Sequence, residues 1–354
     1  MMGRRLHAGI LAIGLTIFAW PAAGRAEQAS TARFSLIGGS PIAWIAARPH
    51  LQPNTMKTYA TPPEQVRAFQ AFATALAAGN WQMAARLAVP LGYTIGSMQA
   101  GAARLVVAFE DSGRDATIII NSAPRRDVVF QAPHAPFEAG TAEQAVLLML
   151  ATEGRAAIVA GAHRCASQTF AGCSGSTEVC GQKEAYRDSD VGHYTGTFFQ
   201  AAHQAFAAVW PRSVAVSLHG MEEDRVGPKT SIIVSTGAHG MDVDLQYPAT
   251  RLRSSLGRLP VPAGTVVSCN LPSDEVFGYR KLCGFTNVQG RFINRSVDIC
   301  SASTETTTGR FVHIEQDWTV LQPFSQDWQN LGRYPLANSL VPAFAATMPM
   351  IDRR

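Results

Sequence analysis

Charge is scarce in this 354-residue sequence: Asp, Glu, Lys and Arg make up 16% of it, and the formal net charge is +4. The lysines and arginines are scattered, with no basic run and no interleaved aromatic motif, so nucleic acid is not an expected partner. Long apolar runs are missing too. The one near the start, Ala8–Trp20, falls short of the roughly 20 residues that a membrane span requires. No CxxC pair occurs, which argues against a zinc knuckle, and no glycine-rich phosphate loop of the expected spacing is present. The segment Gly172–Ser176 superficially suggests a serine nucleophile elbow, but it is not Gly-x-Ser-x-Gly and no strand precedes it. Neither an internal repeat nor a convincing linker divides the chain.

What is present begins with an address. Residues 2–5 carry two arginines, the apolar run follows, and small residues lead to Ala26. Basic, apolar and small-residue segments in that order describe a secretory signal peptide over residues 1–26, cleaved after Ala26. The mature chain is then expected to be periplasmic or secreted, with no stable membrane span. Six cysteines agree with an oxidising compartment: Cys165, Cys173, Cys180, Cys269, Cys283 and Cys300. They allow up to three disulfides, whose pairing the sequence leaves open. The first three crowd into a Gly-, Ser- and Thr-rich stretch, so a Cys-rich loop at 163–190 with at least one local bridge is expected.

A hydrophobic content of 47% suits a globular chain, and residues 27–354 are expected to form a single domain. After an irregular stretch to about Pro62, apolar spacing predicts helices from Pro63 past Leu76 and over Trp81–Val89. Runs rich in Val, Ile and Ala predict strands at Leu105–Phe109, Thr117–Ile120, Val128–Phe130, Ala156–Ala160, Val214–Leu218, Thr230–Ser235 and Phe311–Glu315. Helices are expected between them at Thr141–Leu150, Thr195–Val209 and Ala249–Leu256. Strands alternating with helices imply an α/β sheet covered on both faces.

In such sheets ligands gather at the carboxyl ends of the strands. Four predicted strands lead to ionisable residues there: His134, His163 with Arg164, His219 and Glu315. Catalytic zinc takes three protein ligands, often two His and a carboxylate, and keeps a fourth position for water. His134 and Glu138 lie four apart just after a strand, and His219 arrives from another. Glu315 ends an apolar strand, where partial burial would raise its pKa toward that of a useful general base. His239 is a rival third ligand, Glu222 and Glu223 are rival bases, and His193 and His203 read as structural.

The order His-x-x-x-Glu, then Ser217-Leu218-His219-Gly220, then Val312-His313-Ile314-Glu315 resembles the carboxypeptidase-like zinc hydrolases. More narrowly it is similar to the branch of N-formylglutamate amidohydrolases, succinylglutamate desuccinylases and poly-γ-glutamate hydrolases. The likeness covers short windows between about residues 128 and 317. It departs from the carboxypeptidase His-x-x-Glu by one residue, which touches Glu138 more than His134. The resemblance implies a three-layer α/β/α sandwich around a mixed, mainly parallel sheet. It also implies Zn2+ on His134, Glu138 and His219, with Glu315 catalytic. The substrate implied is a carboxylate-bearing, glutamate-like small molecule, peptide or poly-amino acid. Arginine grips a carboxylate through a bidentate fork, and Arg164, Arg291 and Arg187 are the candidates, Arg187 ranking last. The alternative is a non-catalytic periplasmic binding protein of the same fold, for peptides or cell-wall fragments.

Overall fold

Uninterrupted apolar runs build the middle of the sheet, because strands covered on both faces have no solvent side to keep polar. The structure is a computed structural model that describes residues 34–222, 230–241, 244–259, 265–277 and 282–352. The expected signal peptide and Glu223 lie outside the described residues. Strands β1 (Phe34–Leu36), β2 (Thr94–Ala100), β3 (Ala103–Phe109), β4 (Thr117–Asn121), β5 (Val128–Ala132) and β6 (Ala156–Val159) come first. A short ribbon of β7 (Ser176–Thr177) and β8 (Glu184–Ala185) follows. Then come β9 (Val214–Gly220), β10 (Ile232–Ser235), β11 (Val266–Ser268) and β12 (Phe311–Gln316). All but β7 and β8 join one ten-stranded sheet of order β1-β2-β3-β4-β6-β5-β9-β12-β10-β11. Its four central strands, β6, β5, β9 and β12, run parallel. Antiparallel pairings flank them at β4 and β10, so the sheet is mixed.

Helices cover both faces. The larger core packs β-strand side chains such as Phe130, Val216 and Ile314 against α1 (Pro41–Ala46), α4 (Thr141–Ala151), α6 (Pro248–Leu256), α8 (Trp318–Gln326) and α9 (Pro335–Thr347). On the other face, α2 (Pro63–Ala77), α3 (Trp81–Ala88) and α5 (Phe198–Val209) pack on Ile118, Ile120, Val129 and Ile158. A short α7 (Val288–Ile293) lies against α5 and β12. The result is a three-layer α/β/α arrangement. Among the described residues, no helix is long and apolar enough to cross a membrane.

Several elements escaped the pattern reading. The stretch expected to be irregular before Pro62 contains β1 and α1, and β2 was not anticipated. The run Thr94–Ala100 is polar at intervals, and Ile95 and Met98 are buried in the cores on opposite faces of the sheet, under residues distant in sequence. The cysteines all pair: Cys165–Cys180 and Cys269–Cys283 close short loops, and Cys173–Cys300 ties the 163–190 loop to the segment before β12.

Alternation along two adjacent strands places the chemistry. In β9, Val214, Val216 and Leu218 enter the larger core. Ala215, Ser217 and His219 therefore point to the opposite face, since side chains alternate with period two. In β12, Val312 and Ile314 do the same, leaving His313 and Glu315 on the face of His219. The register sets Glu315 directly beside His219.

Candidate metal centre

His134 sits two residues past β5, where the chain makes a single helical turn. The Glu138 N–H donates to the His134 carbonyl at 2.8 Å. Residues i and i+4 of such a turn share a face, which is how a four-residue spacing brings both side chains to one point. The Glu138 carboxylate Oε1 lies 2.9 Å from His134 Nδ1, and its Oε2 lies 3.4 Å from His219 Nδ1. The two Nδ1 atoms are 3.1 Å apart. Two bonds of about 2.0–2.1 Å to one ion can span at most about 4.2 Å, so both ring nitrogens are within reach of a single zinc-sized cation.

The other ring nitrogens are tied off. His134 Nε2 faces Asp190 Oδ1 at 2.8 Å, and His219 Nε2 faces Ser217 Oγ at 2.9 Å. A carboxylate only accepts, so in the metal-free protein His134, which faces a carboxylate at each ring nitrogen, holds both protons; a cation would displace the one on Nδ1 and leave a lone pair aimed at the point shared with Glu138 and His219. Three electron-pair donors thus converge in a buried place, and Glu138 Oε2 has no hydrogen-bond partner. Such a cluster could hold a cation. Burial and the Arg164 charge would each lower the His134 pKa, yet the carboxylates of Glu138 and Asp190 outweigh them and raise it to about 9. Burial would raise Glu138, but the charges of His134 and His219 hold it well below the usual carboxylate range. The donor set of two imidazoles and a carboxylate suits zinc.

A second trio, His134, Asp190 and His193, also brings three possible ligand atoms together. Its charge is already met: Arg164 donates to Asp190 Oδ2 from Nε at 2.9 Å and from Nη2 at 2.6 Å. Asp190 therefore serves to orient imidazoles, the outer partner that metal-binding histidines commonly have. Close packing fixes the arrangement, since a Cβ at Gly192 would lie 2.9 Å from His134 Nε2. Gly284, at φ +69°, likewise leaves room for His313, whose ring a Cβ would meet at 2.7 Å.

These groups form the floor and walls of a cavity of about 980 Å³. Glu315 lines it, buried, with Oε1 accepting from His313 Nε2 at 3.1 Å. Burial raises its carboxyl to about 8 against the opposing pull of His219. The ribbon of the 163–190 loop supplies one wall through Ser176, Thr177 and Lys183, and Phe137 and Trp318 stand partly exposed on the cavity.

The arginines call for correction. Arg164 lines the cavity, but its fork grips Asp190 rather than facing outward. Arg291 is buried, donating from Nε to the Phe285 carbonyl, from Nη1 to the Cys300 carbonyl and from Nη2 to Ser174 and Ser303. Arg187 holds Glu184, Asn54 and the carbonyls of Ser167 and Cys180. Neither lines the cavity; both brace loops. His239 packs at a tilt on Phe285 and does not line the cavity, and His203 is buried against Gln131. Glu222 is on the cavity wall. Asp190, Ser217 and His313 had no assigned role, and His193, read as structural, lines the cavity. Ser217 and His313 were detectable as polar residues two before His219 and Glu315; Asp190 carried no comparable signal.

No protein-family model matches the sequence, and no curated protein matches it. Among solved structures, the chain is similar to a crystal structure of N-formylglutamate amidohydrolase from Ralstonia eutropha JMP134. The likeness has 11% identity and a TM-score of 0.38, over 66% of this chain and 98% of that one. A score that low says nothing about the site.

Proposed function

We propose that this chain is an exported, zinc-dependent amide hydrolase. The observation that carries the reading is the convergence of His134 Nδ1, His219 Nδ1 and the Glu138 carboxylate, one of whose oxygens is buried without a hydrogen-bond partner. Zinc held there would polarise a scissile carbonyl and lower the pKa of a water to about 7. The chain's own residues account for the rest. Glu315, beside His219 and on the same cavity, takes a proton from the attacking water and returns it to the leaving amine. His313 holds the Glu315 carboxylate in place through its Nε2 hydrogen bond. Asp190 and Ser217 fix the two ligand rings, and Arg164 neutralises Asp190.

The substrate class is a carboxylate-bearing, glutamate-like amide, with Lys183 on the cavity wall offering the counter-charge. Export rests on the amino-terminal pattern and on three disulfides, which persist in oxidising compartments. Metal analysis of the purified chain, with hydrolysis assays on N-acylglutamates, poly-γ-glutamate and wall peptides, tests the proposal. Near-stoichiometric zinc that disappears in His134→Ala, together with turnover, is the expected result. A chain that takes up no zinc even on reconstitution would instead be a binding protein of this fold.

A further inference from the structure

One wall of the cavity is a segment with almost no core of its own. Ser176, Thr177, Glu178, Val179, Lys183 and Tyr186 line the cavity from the β7–β8 ribbon, its turn and the residue after it. The ribbon has two residue pairs, Ser176 with Ala185 and Thr177 with Glu184. Of residues 174–186 only Tyr186 is buried. A two-stranded ribbon of that size does not hold itself in water.

What holds it differs between base and tip. The base of the 163–190 loop is pinned by polar contacts alone. Arg164 forks onto Asp190, and Ser189 Oγ donates to the Arg164 carbonyl at 2.8 Å. Asp188 accepts from the Tyr59 and Ala60 N–H groups at 3.1 and 3.0 Å. The Asn54 N–H donates to the Cys165 carbonyl at 2.8 Å, and the Met56 N–H to the Ala166 carbonyl at 3.1 Å. The tip relies on two disulfides. Cys180, between β7 and β8, is tied to Cys165 on the pinned base, and Cys173, just before the ribbon, is tied to Cys300. An arginine backs each bridge. Arg187 Nη2 donates to the Cys180 carbonyl at 3.3 Å. Arg291 donates from Nη1 to the Cys300 carbonyl at 2.8 Å and from Nη2 to Ser174 Oγ at 3.2 Å. His134, Glu138 and His219 belong to other parts of the chain, after β5 and in β9.

We propose that the β7–β8 ribbon is a substrate-binding arm that oxidation sets in place: the Cys165–Cys180 and Cys173–Cys300 bridges, rather than a core, hold it against the cavity. What the arm binds rests on the amide-hydrolase reading; how it is held does not. Each bridge forms when two thiols give up two protons and two electrons to a disulfide-bearing oxidant, which leaves as a dithiol. A closed bridge restricts how far the chain can stray, so the arm presents Thr177 and Lys183 to the occupant of the cavity. With a bridge open the arm falls back on its own marginal stability, while the metal-ligand side chains keep their places. Substrate binding is thus withheld until the chain reaches a compartment where disulfides persist, and metal binding is not.

Hydrogen exchange, metal analysis and kinetics on the full chain test this, with the oxidised protein set against Cys165→Ser/Cys180→Ser. Amides of residues 174–185 should exchange at least about tenfold faster in the variant, and those of β5 and β9 at the wild-type rate. Zinc content should hold. KM for N-acetylglutamate should rise about tenfold, with kcat within about twofold. Cys173→Ser/Cys300→Ser should act in the same direction. Where a variant does not fold, mild reduction of the folded wild type with dithiothreitol, the opened bridge identified by mass mapping, supplies the same comparison. Unchanged exchange in the arm or an unchanged KM with a bridge open overturns the proposal. So does loss of zinc in step with the arm, which would make the bridges supports of the metal centre. A zinc-loaded wild type that cleaves nothing counts against the hydrolase reading, and the exchange rates then still decide how the arm is held.

Discussion

The two faces of β9 and β12 are built from alternate residues of the same short runs, yet they do opposite things. One face offers Val214, Val216, Leu218, Val312 and Ile314 to the larger core, all nearly inaccessible. The other offers Ser217, His219, His313 and Glu315, equally buried but polar and interlocked. Burial is thus the same on both sides, and only its use differs. Dispersion and water exclusion stabilise the first face. The second face carries desolvated polar groups, which cost stability unless each finds a partner, and the partner that Glu138 Oε2 lacks within the protein is the one a cation would supply. A protein accepts such a face when it needs chemistry there.

The largest expected effect lies on the polar face. Glu315→Gln keeps the shape and the contact with His313, so zinc content and thermal stability should stay near wild type. The hydrolytic rate should fall by about 10²–10⁴-fold, the usual worth of a positioned acid/base. Steady-state kinetics beside metal analysis check this, and full turnover in a zinc-loaded variant would move the role to Glu222. On the apolar face the pattern reverses. Phe130 is fully buried in β5 and packs edge-to-face on Phe344. Phe130→Ala should cost about 3–5 kcal/mol in denaturant unfolding while the residual folded protein still binds zinc.

How far the sequence revealed each face follows from the same contrast. The apolar runs of β4, β5, β6, β9 and β12 were legible because local composition alone marks a strand buried on both sides. His134, Glu138, His219 and Glu315 were legible as a group because each sits on or just after such a run. Arg291 and Arg187 misled for a physical reason. A guanidinium that braces loops through backbone carbonyls leaves no mark in the pattern that distinguishes it from one facing a substrate. Asp190 was invisible because its role depends on the fold bringing it, from 56 residues away, onto a histidine.

That invisible residue gives the next test. Asp190→Asn keeps the volume but removes the charge that orients His134 and His193 and answers Arg164. Zinc affinity should drop by about 10–100-fold, the usual effect of losing an outer-sphere carboxylate. Chelator competition measures it. Unchanged affinity would mean that packing against Gly192 holds the His134 ring without help.

The smallest effect compares neighbours in β9, Ser217 on one face and Val216 on the other. Ser217 is fully buried, and its hydroxyl meets His219 Nε2 at 2.9 Å. Ser217→Ala removes a neutral hydrogen bond worth about 1 kcal/mol, and the small side chain leaves little cavity. The loss should appear as a weakening of zinc binding by up to about tenfold, with the metal-free protein destabilised by no more than about 1 kcal/mol. Val216→Thr is close to the same size of change, one residue away, but it sets a hydroxyl into the larger core. It should lower stability by about 1–3 kcal/mol and leave zinc affinity alone. Measured side by side, the pair separates orientation of a ligand from support of the sheet, because strand backbone and burial are common to both. If Ser217→Ala destabilised the metal-free chain as much as Val216→Thr while zinc affinity held, the hydroxyl would be a packing group and the His219 ring would be held by its neighbours Glu138 and His313 instead.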